Sequence, residues 1–312
     1  MEIGFDGVFH CHNCGYSGTL RQEFPEFFDP IADLLPELFV KREAPAPIKE
    51  RPRVRAGGIE WNGLPAPGET VPLKALPDNH PAIEYLAHRG FDIEELRNLD
   101  NSRPILYCTK GQCEIAGGRG TTSGRLVFPI YMLGTLKGWQ ARQIEKVTEE
   151  DDMVGKKVVW NGSSWRPFKK ESGFWEDRFV PKYYTCPGMK RMSVLYGFDM
   201  ARNYKEIAVV EGPLDYHRTG PQCVGTIGKS ISSEQISLLK TYWERLFWLR
   251  DPEIDPRSRE FQKILTELSP LPVHHLALAN GLDPGATPRE ETWLQIKATV
   301  LENSRAKPAG KN

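Results

Sequence analysis

An excess of either charge is missing from this chain: 41 Lys and Arg balance 41 Asp and Glu, for a formal net charge of zero. That excludes a simple polybasic coat and leaves only a local basic face as a route to polyanions. No apolar run approaches the ~20 residues that span a bilayer, so no membrane partner is expected. The opening MEIGFDGVFHCHNCGYSG lacks the basic-then-apolar pattern of a secretory signal. The expected location is therefore the cytoplasm, where thiols stay reduced. Cysteine is sparse, six in 312 residues, and disulfides are not expected of it. No G-x-x-x-x-G-K-[ST] loop occurs, which excludes a motor of the P-loop type in this chain. Internal repeats are absent as well.

What is present suffices for packed cores: 39% hydrophobic and 10% aromatic residues over a length suited to about two domains. Residues 1–40 carry a Cys pair followed by the amphipathic EFFDPIADLLPELFVK. Residues 41–80 are rich in Pro and Gly, which deny helix and sheet their N–H groups, and are expected to be a linker. Structure resumes at PAIEYLAHRGFDIEELRNL, with Pro81 placed for a helix start and apolar residues at helical spacing. The run GRLVFPIYMLGTLKGWQARQ reads as two strands around a turn at Leu133, Gly134 and Thr135.

From residue 204 strands and helices alternate. EIAVVEG, CVGTIG, RLFWLRD and HHLALA read as strands; SSEQISLLKTYW, SREFQKILTEL and REETWLQIKATVLE read as helices, the first capped by Ser232 and Gln235. Short apolar strands alternating with helices predict an α/β unit with a parallel sheet covered by helices. Residues 302–312 are expected to be a disordered tail.

Acid collects at the strand ends. Glu211 and Asp215 follow the first strand, Asp251, Glu253 and Asp255 the third, and Asp283 the fourth. One acid after one strand marks a solvated turn. Acids after three strands of one parallel sheet would repel each other unless a cation lies between them, and hard oxygen ligands select Mg²⁺ or Mn²⁺. Magnesium completes its shell with water and phosphate oxygens, so the cluster points to a phosphate-containing substrate.

The order Glu-Gly-x-x-Asp, a turn and helix, then Asp-x-acid after a strand resembles the TOPRIM domain. The matching residues are Glu211, Asp215, Asp251 and Glu253; the family pattern has Asp at the last, so Glu253 is a departure, and either Glu253 or Asp255 completes the set. Upstream, Arg125, Arg142, Lys182-Tyr183 and Leu195-Tyr196-Gly197 stand in the order of the polymerase domain of bacterial and phage primases. YLAHRGFDIEEL is similar to the helix that opens that domain, and the resemblance runs from about 81 to 300. It implies an α+β polymerase subdomain over 81–203 and a TOPRIM domain over 204–301. It further implies Glu211, Asp215, Asp251 and Glu253 as catalytic residues and Mg²⁺ on Glu211, Asp251, Glu253 and Asp283. Nucleotide phosphates or the template backbone would be held by Arg125, Arg142, Lys182 and Lys229. Taken singly, each of these cations is also what a solvated surface carries.

VFHCHNCGYSGTL, with Cys11 and Cys14 in a C-x₂-C turn, is similar to the second knuckle of the primase zinc ribbon. A structural zinc needs four ligands, so residues 1–40 are a partial zinc-ribbon segment and Cys11 and Cys14 a half-site for Zn²⁺. Either a first pair lies upstream of Met1 or the site has decayed, and the intact knuckle favours the former. Cys108 and Cys113, in LYCTKGQCEI, have no partner ligands nearby in sequence; Cys186 and Cys223 read as small buried residues. Trp139, Trp160, Trp165 and Trp175 are candidates for stacking bases, with core packing as the default.

The resemblance implies a phage-type DNA primase that joins ribonucleoside triphosphates into short primers on single-stranded DNA and works with a separate replicative helicase. Two rivals share the carboxylates. A TOPRIM nuclease predicts cleavage, and a non-catalytic single-strand-binding relic predicts binding alone.

Overall fold

The computed structural model describes residues 2–3, 8–10, 17–19, 41, 59–99, 104–115, 118–144, 157–160, 165–167, 178–179, 182–249, 257–278 and 281–306. Cys11, Cys14, Asp251, Glu253, Asp255, Trp175 and residues 307–312 lie outside them. The disordered tail expected over 302–312 is corrected over 302–306, which continue the last helix, Arg289–Ala306. Near the N-terminus Val8–His10 pairs antiparallel with Ser17–Thr19 and with Glu2–Ile3.

The strand-rich half centres on a five-stranded antiparallel sheet. Its strands are β1 (Glu69–Pro72), β2 (Leu106–Lys110), β5 (Arg125–Met132), β6 (Thr135–Gln143) and β7 (Tyr183–Thr185), in the order β7-β6-β5-β2-β1. A hairpin of β3 (Gln112–Ile115) and β4 (Gly118–Thr121) stands beside it. The strand β5 is covered on both faces, and period 2 sorts its side chains between two cores. Leu126, Phe128 and Ile130 enter the main core, while Val127 packs with Trp139, Ala141, Cys108 and Tyr184 in a second one. The turn between β5 and β6 has positive φ at both Leu133 (55°) and Gly134 (75°), the conformation of a two-residue type I′ hairpin.

The linker expected over 41–80 is corrected over its second half. Residues from 59 onward are folded, with β1 at 69–72 and Leu73 and Leu76 buried. Proline is tolerated here because β1 is an edge strand, where a missing N–H removes no ladder bond. The proline carbonyls are used: Pro65 O accepts from Trp139 Nε1 at 2.7 Å, and Pro67 O accepts from Thr122 Oγ1. The helical segment expected after Pro81 is two helices, α1 (Pro81–His88) and α2 (Ile93–Arg97). Gly90, at φ 77°, separates them, and Asp92 caps the second through the Glu95 N–H at 3.1 Å.

The remaining half alternates as the sequence predicts. After α3 (Phe198–Ala201) come β8 (Glu206–Val210), α4 (Pro213–Thr219), β9 (Cys223–Gly225), α5 (Ser233–Tyr242), β10 (Arg245–Leu249), α6 (Arg259–Leu268), β11 (Val273–Leu276) and α7 (Arg289–Ala306). The four strands pair in parallel in the order β9-β8-β10-β11. The capping box of Ser232 and Gln235 opens α5. This is the expected α/β arrangement, a parallel sheet flanked by helices.

Both sheets share the main core. Phe128 of β5 meets Tyr196 edge-on at 6.3 Å and lies 5.9 Å from His217 on α4. Asp199 of α3 accepts the N–H of Leu133 (2.5 Å) and of Gly134 (2.8 Å), tying the hairpin turn to the parallel unit. Among the described residues no helix is long and apolar enough to cross a membrane.

Candidate functional site

The chain leaves β8 toward β9 on one side and returns to β10 on the other, so the topology switches between β8 and β10. In open parallel sheets the crevice past that point is where ligands bind. Glu211 stands there, one residue beyond β8. Pro213 then begins α4, a position where proline's missing N–H costs no helical bond. Asp215, in the first turn, folds back so that its Oδ2 accepts the Gly212 N–H at 2.8 Å.

A cleft of about 540 Å³ opens over this strand end. Its acidic members are Glu211, Asp215 and Asp283. Asp215 and Asp283 meet at Gly285. A Cβ there would run into Asp215 Oδ1 and lie 3.2 Å from Asp283 Oδ1 and 3.4 Å from Arg89 Nη2, so this approach requires glycine. Burial first, then the Asp283 charge, pushes the Asp215 carboxyl up to about 6.

Facing these acids are cations delivered by strand parity. The β5–β6 register pairs Leu126 with Arg142 and Phe128 with Gln140, and β7 adds Tyr183 opposite Arg142 and Thr185 opposite Gln140. Arg142, Gln140, Tyr183 and Thr185 therefore share one sheet face, and all four line the cleft. Lys182, Arg191, Lys229 and Arg89, at the C-cap of α1, complete the basic side. Arg142 is buried; its Nε donates to Tyr85 Oη at 2.8 Å and its Nη1 to Tyr183 Oη at 2.6 Å. Burial and then the Arg142 and Arg89 charges hold the Lys182 ammonium below its ordinary value. Burial raises the Tyr183 phenol to about 12, so it stays protonated beside Arg142.

Of the residues named from sequence, Glu211, Asp215, Asp283, Arg142, Lys182 and Lys229 come together in this cleft. Arg125 does not line it. It lies on the opposite sheet face, 3% exposed and stacked 3.9 Å over the Tyr184 ring, and donates to the carbonyls of Thr121, Ala141 and Lys182. Cys108, Cys113, Cys186 and Cys223 are free and buried, and Trp139 is a core residue. Arg89, Arg191 and Tyr85 were not singled out by sequence reasoning. The i, i+4 spacing of Tyr85 and Arg89 on a helix was a usable signal, whereas nothing distinguishes Arg191 within MKRMSV.

Among the described residues no three His, Cys, Asp or Glu side chains cluster closely enough to hold a metal ion. Asp283 Oδ1 is nevertheless buried without a hydrogen-bond partner, and every acid in the cleft is a hard oxygen donor of the kind Mg²⁺ takes. Asp251 follows β10, the strand across the switch point from Glu211, and belongs with Glu253 to the undescribed residues.

No protein-family model and no curated protein matches the sequence. Solved structures do. The fold is similar to a DnaG primase catalytic domain bound to single-stranded DNA, at 16% identity over 73% of each chain with a TM-score of 0.48. It is also similar to a DNA primase domain from Pseudomonas aeruginosa, at 20% identity over 72% of each chain with a TM-score of 0.47. The zinc-binding and RNA polymerase domains of Aquifex aeolicus primase match at 19% identity and a TM-score of 0.45, over 72% of this chain and 55% of that one.

Proposed function

We propose that this chain is a DNA primase of the phage type, joining ribonucleoside triphosphates into a short primer on single-stranded DNA. One observation carries the reading: the acids at the parallel strand ends share a cleft with cations from the antiparallel sheet and α1. Both cleavage and synthesis use the acids, and a broad basic side of this kind suits a polymerase, which must hold a triphosphate and a template backbone against them together.

In this reading the 3′ hydroxyl of the growing primer attacks the α-phosphate of the incoming nucleotide, and pyrophosphate leaves. Arg142, Lys182 and Arg89 hold phosphate oxygens, Arg142 through a planar fork that suits them. Arg191 and Lys229 neutralise the far end of the same anion. Glu211 stands at the reacting atoms. Mg²⁺ or Mn²⁺ would be held by Glu211 and Asp283 with Asp251 and Glu253, and when bound supplies polarisation of the phosphoryl oxygens. Asp215, tied to the Gly212 N–H, fixes the acid wall. The antiparallel part, with β1 (Glu69–Pro72) at its edge and reaching residue 203, and the parallel part from 204 are the two parts of the polymerase. A zinc knuckle at Cys11 and Cys14, a separate replicative helicase and a cytoplasmic setting belong to the same proposal.

The test uses end-labelled single-stranded DNA, differently labelled ribonucleoside triphosphates and Mg²⁺ in one reaction. Primase action predicts labelled ribo-oligomers and intact DNA. Shortened DNA without oligomers would make the chain a nuclease, and retained DNA binding with neither product would make it a relic.

A further inference from the structure

Arg142 is a charged group placed where water does not orient it, so other side chains must. Its guanidinium lies between two phenols: Tyr183 Oη at 2.6 Å and Tyr85 Oη at 2.8 Å. Tyr183 comes from the neighbouring strand β7. Tyr85 comes from α1, a separate element, with its ring packed on the main core. The Tyr85 ring also lies 5.9 Å from the guanidinium carbon of Arg142 and 5.9 Å from that of Arg89, one helical turn further along α1. One ring therefore lies within cation–π reach of two like charges that line the same cleft, and its quadrupole face attracts cations.

Resting on the reading of this wall as the phosphate-binding side, we infer that Tyr85 is a positioning residue for the substrate's phosphates. Its hydroxyl fixes the orientation of Arg142, and its ring fixes the spacing of Arg142 from Arg89. It touches no reacting atom. Its effect is to hold two cations ready, so that binding the triphosphate does not have to order them.

The test compares four full-length chains: native, Tyr85→Phe, Arg142→Met and the double variant. The readouts are Kd for inorganic tripolyphosphate with Mg²⁺, then KM and kcat for ribonucleoside triphosphates, with melting temperature as a control. Tyr85→Phe keeps the ring on the core, so the melting temperature stays within about 3 °C. Loss of one hydrogen bond to a charged group weakens tripolyphosphate five- to tenfold, on the order expected for such a bond. KM follows Kd, and kcat stays within about twofold. The double variant binds no more weakly than Arg142→Met alone, because Tyr85 acts through Arg142.

If Arg142→Met weakens binding while Tyr85→Phe does not, the inference is overturned and the phosphate wall stands. Additive losses in the double variant also overturn it, since Tyr85 would then act independently of Arg142. If Arg142→Met binds tripolyphosphate as the native chain does, or no chain binds it, the reading of the wall itself fails.

Discussion

Asp215 is a carboxylate that its surroundings oppose. Its folded value of about 6 stands above the ordinary 3.8, because burial and the neighbouring Asp283 disfavour the charge. A raised carboxyl favours the protonated form in the folded state, so its contribution is full below about pH 4 and is lost as pH rises through 6. At pH 7.5 the ionised group therefore costs stability. Asp215→Asn is expected to be more stable than the native chain by about 1–3 kcal/mol at pH 7.5, with the difference closing near pH 4. Urea melts at the two pH values measure this, and a difference independent of pH would contradict it. Glu211, Asp215 and Asp283 were legible because acids recur past several strands of one parallel sheet, where a single one would mark only a turn. Arg125 was misplaced because a lone arginine on a strand looks the same whichever face it takes.

The element that decides that face is the β5–β6 hairpin. Met132 pairs with Thr135 and Tyr131 with Leu136, but a bulge after Ile130 shifts the register, so Leu126, not Arg125, pairs with Arg142. A regular two-residue hairpin would have placed Arg125 and Arg142 on one face. The single extra residue sends Arg142 into the cleft and Arg125 into the second core; Gly138, at φ 155° beside the shift, is the one residue in TLKGWQ that signals it. Other elements were plainer. The helices of the parallel half carry their caps in sequence, and its strands alternate with them, whereas the proline-rich stretch before α1 concealed an edge strand that proline does not disrupt. The hairpin turn itself yields a prediction. Leu133 holds φ 55° and is 48% exposed, a conformation that leucine adopts at a steric cost. Leu133→Asn creates the Asn-Gly pair that type I′ turns favour while leaving the two N–H groups on Asp199. It should raise stability by about 1 kcal/mol, read as a higher urea midpoint at unchanged slope. A lower midpoint would show that Leu133 packs on something more than the turn.

At the scale of the whole molecule, the site exists because two halves share one core. The parallel sheet brings acids to its switch point; the antiparallel sheet and α1 bring cations to meet them, and Phe128, Tyr196 and His217 weld the halves beneath. Composition says nothing of this, since opposed charges that sum to zero look the same scattered or sorted. The ordered set of motifs indicated the arrangement, but only the fold shows which cations face the acids and that the end of α1 supplies Arg89 to the wall.

The measurement that tests it most directly is dinucleotide formation from labelled ribonucleoside triphosphates on single-stranded DNA with Mg²⁺, for the native chain and Glu211→Gln, alongside DNA binding by both. The account predicts synthesis by the native chain, a loss of about a hundredfold or more in the variant, and equal DNA binding. Synthesis by Glu211→Gln at the native rate would contradict it, as would a native chain that binds the template and the triphosphates and joins nothing.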